Sequence, residues 1–467
     1  MKPNNKPTAM STSKKGIMTY EEIVEALNVK VLPVEENDNY LDNIIGLVEP
    51  KKYLKQTLEF FKKPEIYKKK KVTIYRKFIF IGRSGVGKVM TAYAFAKEAN
   101  LPIIVVDMEK FVVHTPLVLM KNFKQVLDAH KPAVVLLKNI EYLAMLEMEK
   151  QVPVFSTLCN YLNTYTDCFF FATMASTCSF PEFAISENGF NTVLTFEDPD
   201  LKQREELLKR FISKFPHAES FDSNEDNNDL KKVAKNTLGM TAGDLIHLLE
   251  NSLIQAYMDG HTELTYDSID TALSSKMYGH KKKPMTEEER KLTAYHEAGH
   301  VVAGYFANPK KYKLSKVEIV HRTESLGLTI QEVDEDKLSY TKQDYENDII
   351  CCYGGMAAEQ IIFGTNTSGV SADLGMATLY GSYMIKSFGM HDDFGPISLD
   401  DEFFISDTLN ETADILLQEM LRKLYNRTRE LMLEHKPELI ALAEALIEKE
   451  TIYSEEILEI FKKAREK

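Results

Sequence analysis

The stretch MTEEERKLTAYHEAGHVVAGYF, residues 285–306, combines helical periodicity with the pattern HEAGH, His296 to His300. On a helix with about 3.6 residues per turn, histidines four positions apart project to one side, so both imidazoles can reach one metal ion. Glu297 lies about a third of a turn from His296, beside that ion. A carboxylate there can take a proton from a water molecule that zinc has activated. The pattern therefore predicts a zinc site for amide hydrolysis.

Apolar residues surround this motif at helical spacing. Leu292 and Tyr295 precede it, and Val301, Val302 and Tyr305 follow it. This is typical of a helix that packs into a core while its ligands face a cleft. A purely structural histidine pair is the alternative, because the short motif can arise by chance.

The bulk composition limits the classes of function. The chain has 467 residues, with 57 Lys and Arg against 70 Asp and Glu, and a formal net charge of −13. This length predicts two to four domains. Because an acidic chain lacks the basic surface that a phosphate backbone requires, we expect no nucleic acid among its partners.

Cysteine usage and hydropathy indicate where the chain works. Five cysteines form an odd set without a CxxC spacing, which fits a reducing cytoplasm better than a disulfide framework. The longest apolar runs are shorter than the roughly 18–20 residues that cross a bilayer. The first 16 residues lack the apolar core of a secretory signal. We therefore expect a cytoplasmic chain with no membrane span.

Four short apolar runs precede the motif and alternate with helical patterns. They are KFIFIG (77–82), PIIVVD (102–107), AVVLLK (133–138) and CFFFAT (168–173). Continuous apolar strands separated by helices predict a buried parallel sheet. After this region the strands stop and residues 228–277 read as mostly helical. The stretches KVEIVHR and LGLTIQEV read as a pair of strands, and helical periodicity dominates from Lys342 to the end.

A catalytic zinc needs a third protein ligand and an open position for water. The best candidate is Asp373 in SGVSADLGMAT, in the first turn of a predicted helix. Backbone amides hold a carboxylate in such a position. Glu359, in YGGMAAEQIIFG, is the rival candidate.

The segments around the motif resemble the peptidase domain of the FtsH family of AAA+ zinc proteases. The similar segments, in chain order, are 285–306, LGLTIQEV (326–333), YGGMAAEQIIFG (353–364), TSGVSADLGMAT (367–378) and LIALAEALIEKETIYSEEI (439–457). The resemblance implies that Asp373 is the third ligand and that Glu359 has a neighbouring role. It also implies a homo-hexamer, and an edge strand at Leu326 to Gln331 that pairs with an extended polypeptide substrate.

The resemblance continues upstream, from about Leu41 to Lys276, as an AAA+ module. It implies an α/β AAA+ module, with a parallel sheet and a helical lid, followed by a mainly α-helical zinc-peptidase domain. The predicted boundaries are an N-terminal tail and short helix at 1–36, the AAA+ core at 37–199, the lid at 200–279, a linker at 280–286 and the peptidase domain at 287–467.

The nucleotide site of this module is incomplete. GRSGVGKV, residues 82–89, follows a predicted strand and precedes a helix, as a phosphate-binding loop does. Gly82, Gly85 and Gly87 allow the tight backbone, and Lys88 stands where it can reach the phosphates. Val89 stands where the family has the hydroxyl that binds Mg²⁺. Binding of ATP by this vestigial loop is left open.

Other positions that support hydrolysis in the family also differ. Lys138 and Asn139 stand where the family has an Asp that holds magnesium and a Glu that activates water. Ala175 replaces a sensing Asn, residues 184–193 lack the family's arginine fingers, and the pore-loop segment 111–123 is shorter than in the family. We therefore do not expect ATP hydrolysis.

These observations predict a zinc-dependent endopeptidase that cleaves unfolded or flexible polypeptides. Its AAA+ region would be a pseudo-ATPase scaffold, so cleavage would not depend on ATP. Two alternatives stay open. One is an ATP-dependent protease subunit that works in a mixed ring with related AAA+ subunits. The other is a non-proteolytic adaptor or holdase that keeps zinc for stability.

Overall fold

The computed structural model describes residues 20–27, 29–33, 40–69, 75–110, 116–175, 185–214, 229–261, 263–279, 282, 285–309, 312, 314–322, 327–331, 339–399 and 406–466. Residues 1–19 of the predicted N-terminal tail and short helix (1–36) lie outside these ranges, as does most of the predicted linker. The chain divides into two compact units, one of Met1–Leu207 with Gly239–His247 and one of Leu208–Leu238 with Leu248–Lys467. The five domain boundaries taken from the sequence stay predictions.

The described part of the first unit is built around a six-stranded sheet. Its strands are β1 (Lys30–Leu32), β2 (Lys77–Ile81), β3 (Ile103–Asp107), β4 (Val134–Lys138), β5 (Phe169–Met174) and β6 (Thr192–Thr195). Their order is β1-β3-β4-β5-β2-β6, and every pairing is parallel except that of β1 with β3. The predicted parallel sheet is confirmed through β2 to β5. Strands β1 and β6, of three and four residues, were not predicted from the sequence.

This unit also contains helices between residues 20 and 212. They are α1 (Tyr20–Leu27), α2 (Val48–Lys62), α3 (Pro64–Lys69), α4 (Lys88–Ala99), α5 (Pro116–His130), α6 (Met148–Thr164) and α7 (Leu201–Ile212), the last of which continues into the second unit. Ile79 belongs to the buried cluster that includes α5 and α6. Its neighbours Phe78 and Phe80 belong to the cluster that includes α2 and α4. This alternation is that of a strand buried on both faces.

The second unit is mainly helical, as the sequence predicts for the lid and the peptidase domain. Its helices are α8 (Asp229–Asn236), α9 (Ala242–Met258, which begins in the first unit), α10 (Tyr266–Tyr278), α11 (Glu287–Ala307), α12 (Lys342–Phe363), α13 (Ser371–Ser382), α14 (Asp407–Glu434), α15 (Lys436–Lys449) and α16 (Ser454–Arg465). Helix α11, which carries the HEAGH motif, begins at a capping box. Thr286 Oγ1 accepts a hydrogen bond from the Glu289 amide, and the Glu289 carboxylate accepts one from the Thr286 amide.

Helices α11 and α12 cross at two glycines. A Cβ atom at Gly299 would lie 2.4 Å from the carbonyl oxygen of Gly354, and one at Gly354 would lie 2.4 Å from that of Gly299. Only glycine permits this backbone approach. The glycine inside HEAGH therefore has a structural role, because it brings the motif against α12.

A three-stranded antiparallel sheet lies in the same unit. Its strands are β7 (Leu314–Glu318), β8 (Leu328–Gln331) and β9 (Thr451–Tyr453), in the order β8-β7-β9. The predicted pair of strands corresponds to β7 and β8. The predicted dominance of helix after Lys342 is confirmed, but the short strand Thr451–Tyr453 was not predicted; there a β-branched pair and a tyrosine form the third strand on β7.

Four buried charges join α10 to this sheet. Lys316 Nζ lies 2.5 Å from Asp270 Oδ2 and 2.9 Å from Glu318 Oε2, and Arg322 Nε lies 2.9 Å from Glu318 Oε1. All four side chains are between 2% and 8% exposed. Burial raises the pKa of Asp270. Burial also acts to raise the pKa of Glu318, but Lys316 and Arg322 lower it overall. The two cations therefore compensate the two anions.

We expect Lys316→Met to lower the free energy of unfolding by about 3–5 kcal/mol, because it leaves two carboxylates buried without their shared cation. Denaturant unfolding of parent and variant measures this. In the control, Lys386→Met breaks an ion pair with Asp414 whose side chains are 29% and 64% exposed. That change should cost less than about 1 kcal/mol. Equal losses in the two variants would contradict this view of the buried charges.

Within the ranges described above, no helix is both long enough and apolar enough to span a bilayer.

Candidate active site

Helix α11 directs the two predicted histidine ligands toward one point. The Nε2 atoms of His296 and His300 lie 3.0 Å apart. Asp373, in the first turn of α13, places Oδ2 3.3 Å from His296 Nε2 and 3.5 Å from His300 Nε2. Of the residues the structure describes, these three make the one cluster of His, Cys, Asp or Glu donors close enough to hold a metal ion. The structure thus brings together residues that are distant in the sequence.

The spacing of the three donor atoms fits zinc. Zinc binds His nitrogen at about 2.0–2.1 Å and carboxylate oxygen at about 2.0–2.2 Å, so two donors of a tetrahedral site lie about 3.3–3.5 Å apart. The observed separations of 3.0, 3.3 and 3.5 Å lie around that value. Three protein donors leave a fourth position for water or substrate, as catalytic zinc sites require.

The second nitrogen of each ring contacts an acceptor. His296 Nδ1 lies 2.7 Å from Glu359 Oε1, and His300 Nδ1 lies 2.8 Å from the carbonyl oxygen of Cys351. Because an ionised carboxylate and a carbonyl only accept hydrogen bonds, we assign the ring proton to Nδ1 in both histidines. Each Nε2 then has a lone pair directed at the donor cluster, which is the tautomer that binds a metal.

Glu359 lies behind His296 and not among the three donors. Glu359 is 2% exposed. Its carboxylate accepts hydrogen bonds from the Thr367 amide at 2.6 Å and the Thr367 hydroxyl at 3.1 Å. Burial acts to raise the pKa of Glu359, but the hydrogen bonds from His296 and Thr367 lower it overall. Thr367 precedes the turn that leads into α13, so Glu359 connects His296 to the segment that carries Asp373.

We expect Glu359→Gln to weaken zinc binding by about 10–100-fold, because an amide holds the His296 ring less firmly and no longer strengthens its basicity. Competition with a chromogenic zinc chelator measures the affinity. Glu346→Gln, on the same helix but outside the cluster, is the matched control and should bind zinc as the parent does. A Glu359→Gln variant with parental affinity would contradict the assigned role.

The Asp373 carboxylate and the His296 imidazole stabilise each other's charged forms. Burial acts to raise the pKa of Asp373, but hydrogen bonds with His296 and His300 lower it well below its usual range. Burial acts to lower the pKa of His296, but Asp373 and Glu359 raise it to about 10. A proton therefore competes with a metal for the His296 nitrogen, since a zinc ligand must be a neutral imidazole.

Glu297, the predicted general base, is held against strand β8. It is 8% exposed, and its Oε2 atom accepts a hydrogen bond of 2.8 Å from the Thr329 hydroxyl. Gly327 lies so close that an added Cβ atom would be 2.6 Å from Glu297 Cγ. The sequence reading named these two residues only as part of a peptide-binding edge. The sequence signal for their contact with Glu297 was the placement of a glycine and a hydroxyl residue two positions apart, at Gly327 and Thr329.

The predicted peptide-binding edge, Leu326 to Gln331, corresponds to β8 at the edge of its sheet. Leu326 lies outside the described residues. The pairing of β8 with a substrate stays a prediction.

The predicted phosphate-binding loop has the backbone that its glycines allow. Gly82, Gly85 and Gly87 have φ values of 155°, 85° and 101°, and Lys88 begins α4. The Lys88 ammonium donates hydrogen bonds to the carbonyl oxygen of Gly82 and, at 2.8 Å, to that of Arg83. Burial lowers the pKa of Lys88. Whether the loop binds a nucleotide stays open.

The positions expected to differ from the family make contacts of their own. Lys138 Nζ lies 3.3 Å from Asp107 Oδ2, across the register pair that joins β3 to β4. Glu141 Oε1 accepts a hydrogen bond of 3.0 Å from the Ala175 amide. The contact of Glu141 was not predicted from the sequence, although this acid stands two positions after Asn139. Ala184 and residues 111–115 of the pore-loop segment lie outside the described part of the chain.

Two family models match this chain. Peptidase family M41 matches residues 283–460, which include the three donors and Glu297. The ATPase family associated with various cellular activities (AAA) matches residues 78–196. The chain is FtsH-like, with an AAA module followed by an M41 peptidase domain. The expected family and fold class are confirmed.

Individual relatives match most of this FtsH-like chain. The ATP-dependent zinc metalloprotease FTSH 11, chloroplastic/mitochondrial, of Arabidopsis thaliana is 28% identical over 93% of this chain and 54% of its own length. The ATP-dependent zinc metalloprotease FtsH of Marinobacter nauticus is 26% identical over 92% of this chain and 71% of its own. The ATP-dependent zinc metalloprotease FtsH 4 of Sphaerobacter thermophilus is 28% identical over 90% of this chain and 66% of its own length. The chain thus spans between about half and 71% of these proteins.

Proposed function

We propose that this chain is a zinc endopeptidase that cleaves unfolded or flexible polypeptides and does so without ATP hydrolysis. The observation that carries the proposal is the convergence of His296, His300 and Asp373 within 3.5 Å of one another, with Glu297 on the same helix. An N, N, O donor set with an adjacent carboxylate is the arrangement that hydrolytic zinc sites use.

The residues of the site have distinct roles in this proposal. The two histidines and Asp373 hold zinc, which, when bound, polarises the scissile carbonyl and lowers the pKa of a water molecule. Glu297 takes a proton from the attacking water and later gives it to the departing amine. Glu359 fixes the His296 ring. Strand β8 holds an extended substrate by backbone hydrogen bonds, which gives loose sequence specificity.

Independence from ATP is proposed from residues of the nucleotide loop and of the carboxyl end of β4. Val89 has no hydroxyl for Mg²⁺, and the Lys138 ammonium, 3.3 Å from Asp107, stands where the family holds the metal. Asn139 cannot accept a proton as the family's Glu does. Lys88 and the three glycines leave room for nucleotide binding without turnover. The AAA+ region would then act as a scaffold.

We also propose a cytoplasmic homo-hexamer. Helix α13, which carries Asp373, exposes apolar side chains at helical spacing: Met376, Leu379 and, directly after the helix, Tyr383 are each 41% exposed. Exposed apolar faces of this kind are common at interfaces between subunits. Sedimentation of the purified chain tests the hexamer. Recovery of a related AAA+ subunit with the purified chain would instead favour a mixed ring.

Metal analysis combined with a cleavage assay tests the peptidase proposal. The purified chain should contain one zinc ion per polypeptide and cleave casein, an unstructured substrate. Removal of zinc by a chelator should abolish cleavage, and added zinc should restore it. A zinc-loaded chain that leaves casein intact would contradict the proposal and favour the adaptor.

A further inference from the structure

Strand β8 and Gly327, the residue directly before it, contact the predicted general base from one face. The Thr329 hydroxyl donates a hydrogen bond of 2.8 Å to Glu297 Oε2. Two positions earlier, an added Cβ atom at Gly327 would lie 2.7 Å from Glu297 Oε1 and 2.9 Å from Cδ. Both residues therefore lie against the same carboxylate.

The alternation of the strand explains this contact. Side chains two positions apart point to the same face, so Gly327 and Thr329 face Glu297 while Leu328 and Ile330 face the other way. Leu328 and Ile330 are each 9% exposed, so burial of their side chains fixes the register. A slip by one residue would turn the Thr329 hydroxyl away from the base.

We propose that Thr329 is a positioning residue for Glu297, and that Gly327 provides the space in which the carboxylate sits. The inference rests on the proposed peptidase function. Thr329 holds Oε2, which leaves Oε1 to take the proton from water. Because the same strand is the proposed substrate edge, one element sets both the substrate register and the position of the base.

A glutamate side chain has three rotatable torsions. The hydrogen bond from the Thr329 hydroxyl restricts rotation of the Glu297 carboxylate at the end of that side chain. A misplacement of about 1 Å in a catalytic group can cost about 10²-fold in rate. The Thr329 contact acts on the chemical step and not on substrate binding, so its loss should lower kcat and leave KM unchanged.

Two substitutions separate the hydroxyl from the shape of the side chain. Thr329→Val keeps the β-branched shape that suits a strand and removes the hydroxyl. We expect casein-derived peptide cleavage with kcat lowered by about 10–100-fold, KM unchanged and zinc content equal to that of the parent. Thr329→Ser, which restores the hydroxyl without the methyl group, should recover most of kcat.

Three kinetic outcomes would overturn the proposal. Parental kcat in Thr329→Val would show that the base does not need the hydroxyl. Equal defects in the Val and Ser variants would show that strand packing is responsible. A raised KM with unchanged kcat would show that the Thr329 hydroxyl contacts the substrate and not the base.

Crystal structures of the parent and Thr329→Val supply a readout that does not need turnover. The Glu297 carboxylate should lie within about 3 Å of the hydroxyl in the parent and be displaced or multiply oriented in the variant. An unmoved carboxylate in the variant would overturn the positioning role. A parent that shows this contact but cleaves nothing would reject the peptidase function alone.

Discussion

Replacing Glu297 with Gln should lower the rate of polypeptide cleavage by about 10²–10⁴-fold, the usual contribution of a general base. Gln has nearly the same shape, but its amide cannot take a proton from water. The three proposed metal donors, His296, His300 and Asp373, are untouched. Zinc content should therefore match that of the parent, and the assay separates loss of chemistry from loss of metal.

The control for this variant is Glu288→Gln, which changes an exposed carboxylate at the start of the same helix. It should cleave at the parental rate. The adaptor alternative predicts that Glu297→Gln and the parent behave alike in every assay. A Glu297→Gln variant with full activity would therefore reject the assignment of the base.

Replacing Asp373 with Asn should weaken zinc binding by more than about 100-fold, since loss of a group that only supports a ligand already costs about 10–100-fold. Asn is close in volume to Asp but lacks the charge that complements the two imidazoles 3.3 and 3.5 Å away. Cleavage at limiting zinc should fall in parallel. Chelator competition and metal analysis after gel filtration measure both effects.

Asp407→Asn is the matched control, because Asp407 is also an acid in the first turn of a helix. It should keep parental zinc affinity. Parental zinc affinity in Asp373→Asn would mean that another group completes the site, and the donor assignment would fail.

The HEAGH helix and the buried strands could be predicted because their signals are local. His296 and His300 share one face of a helix from spacing alone, and KFIFI and AVVLLK are short apolar runs typical of a buried strand. Asp373 is different. Its local pattern is that of an ordinary helix start, so only the family resemblance distinguished it from Glu359.

Contacts between distant segments could not be read from the sequence. Strand β9 exists because Ile452 pairs with Val317, far away in the chain. The Thr329 hydroxyl meets Glu297 only once β8 packs beside α11. The Lys316 cluster joins strand β7 to a helix from the predicted lid. In each case the partner is set by tertiary packing, which local periodicity does not record.

Casein cleavage by the purified chain, measured with and without ATP while phosphate release is followed, tests the central claim most directly. We expect the same cleavage rate under both conditions and no phosphate release above that of a protein-free control. The proposal assigns Val89, Lys138 and Asn139 to the positions where the family that the chain resembles has groups that bind magnesium and activate water. Cleavage that requires ATP and proceeds with its turnover would contradict the account.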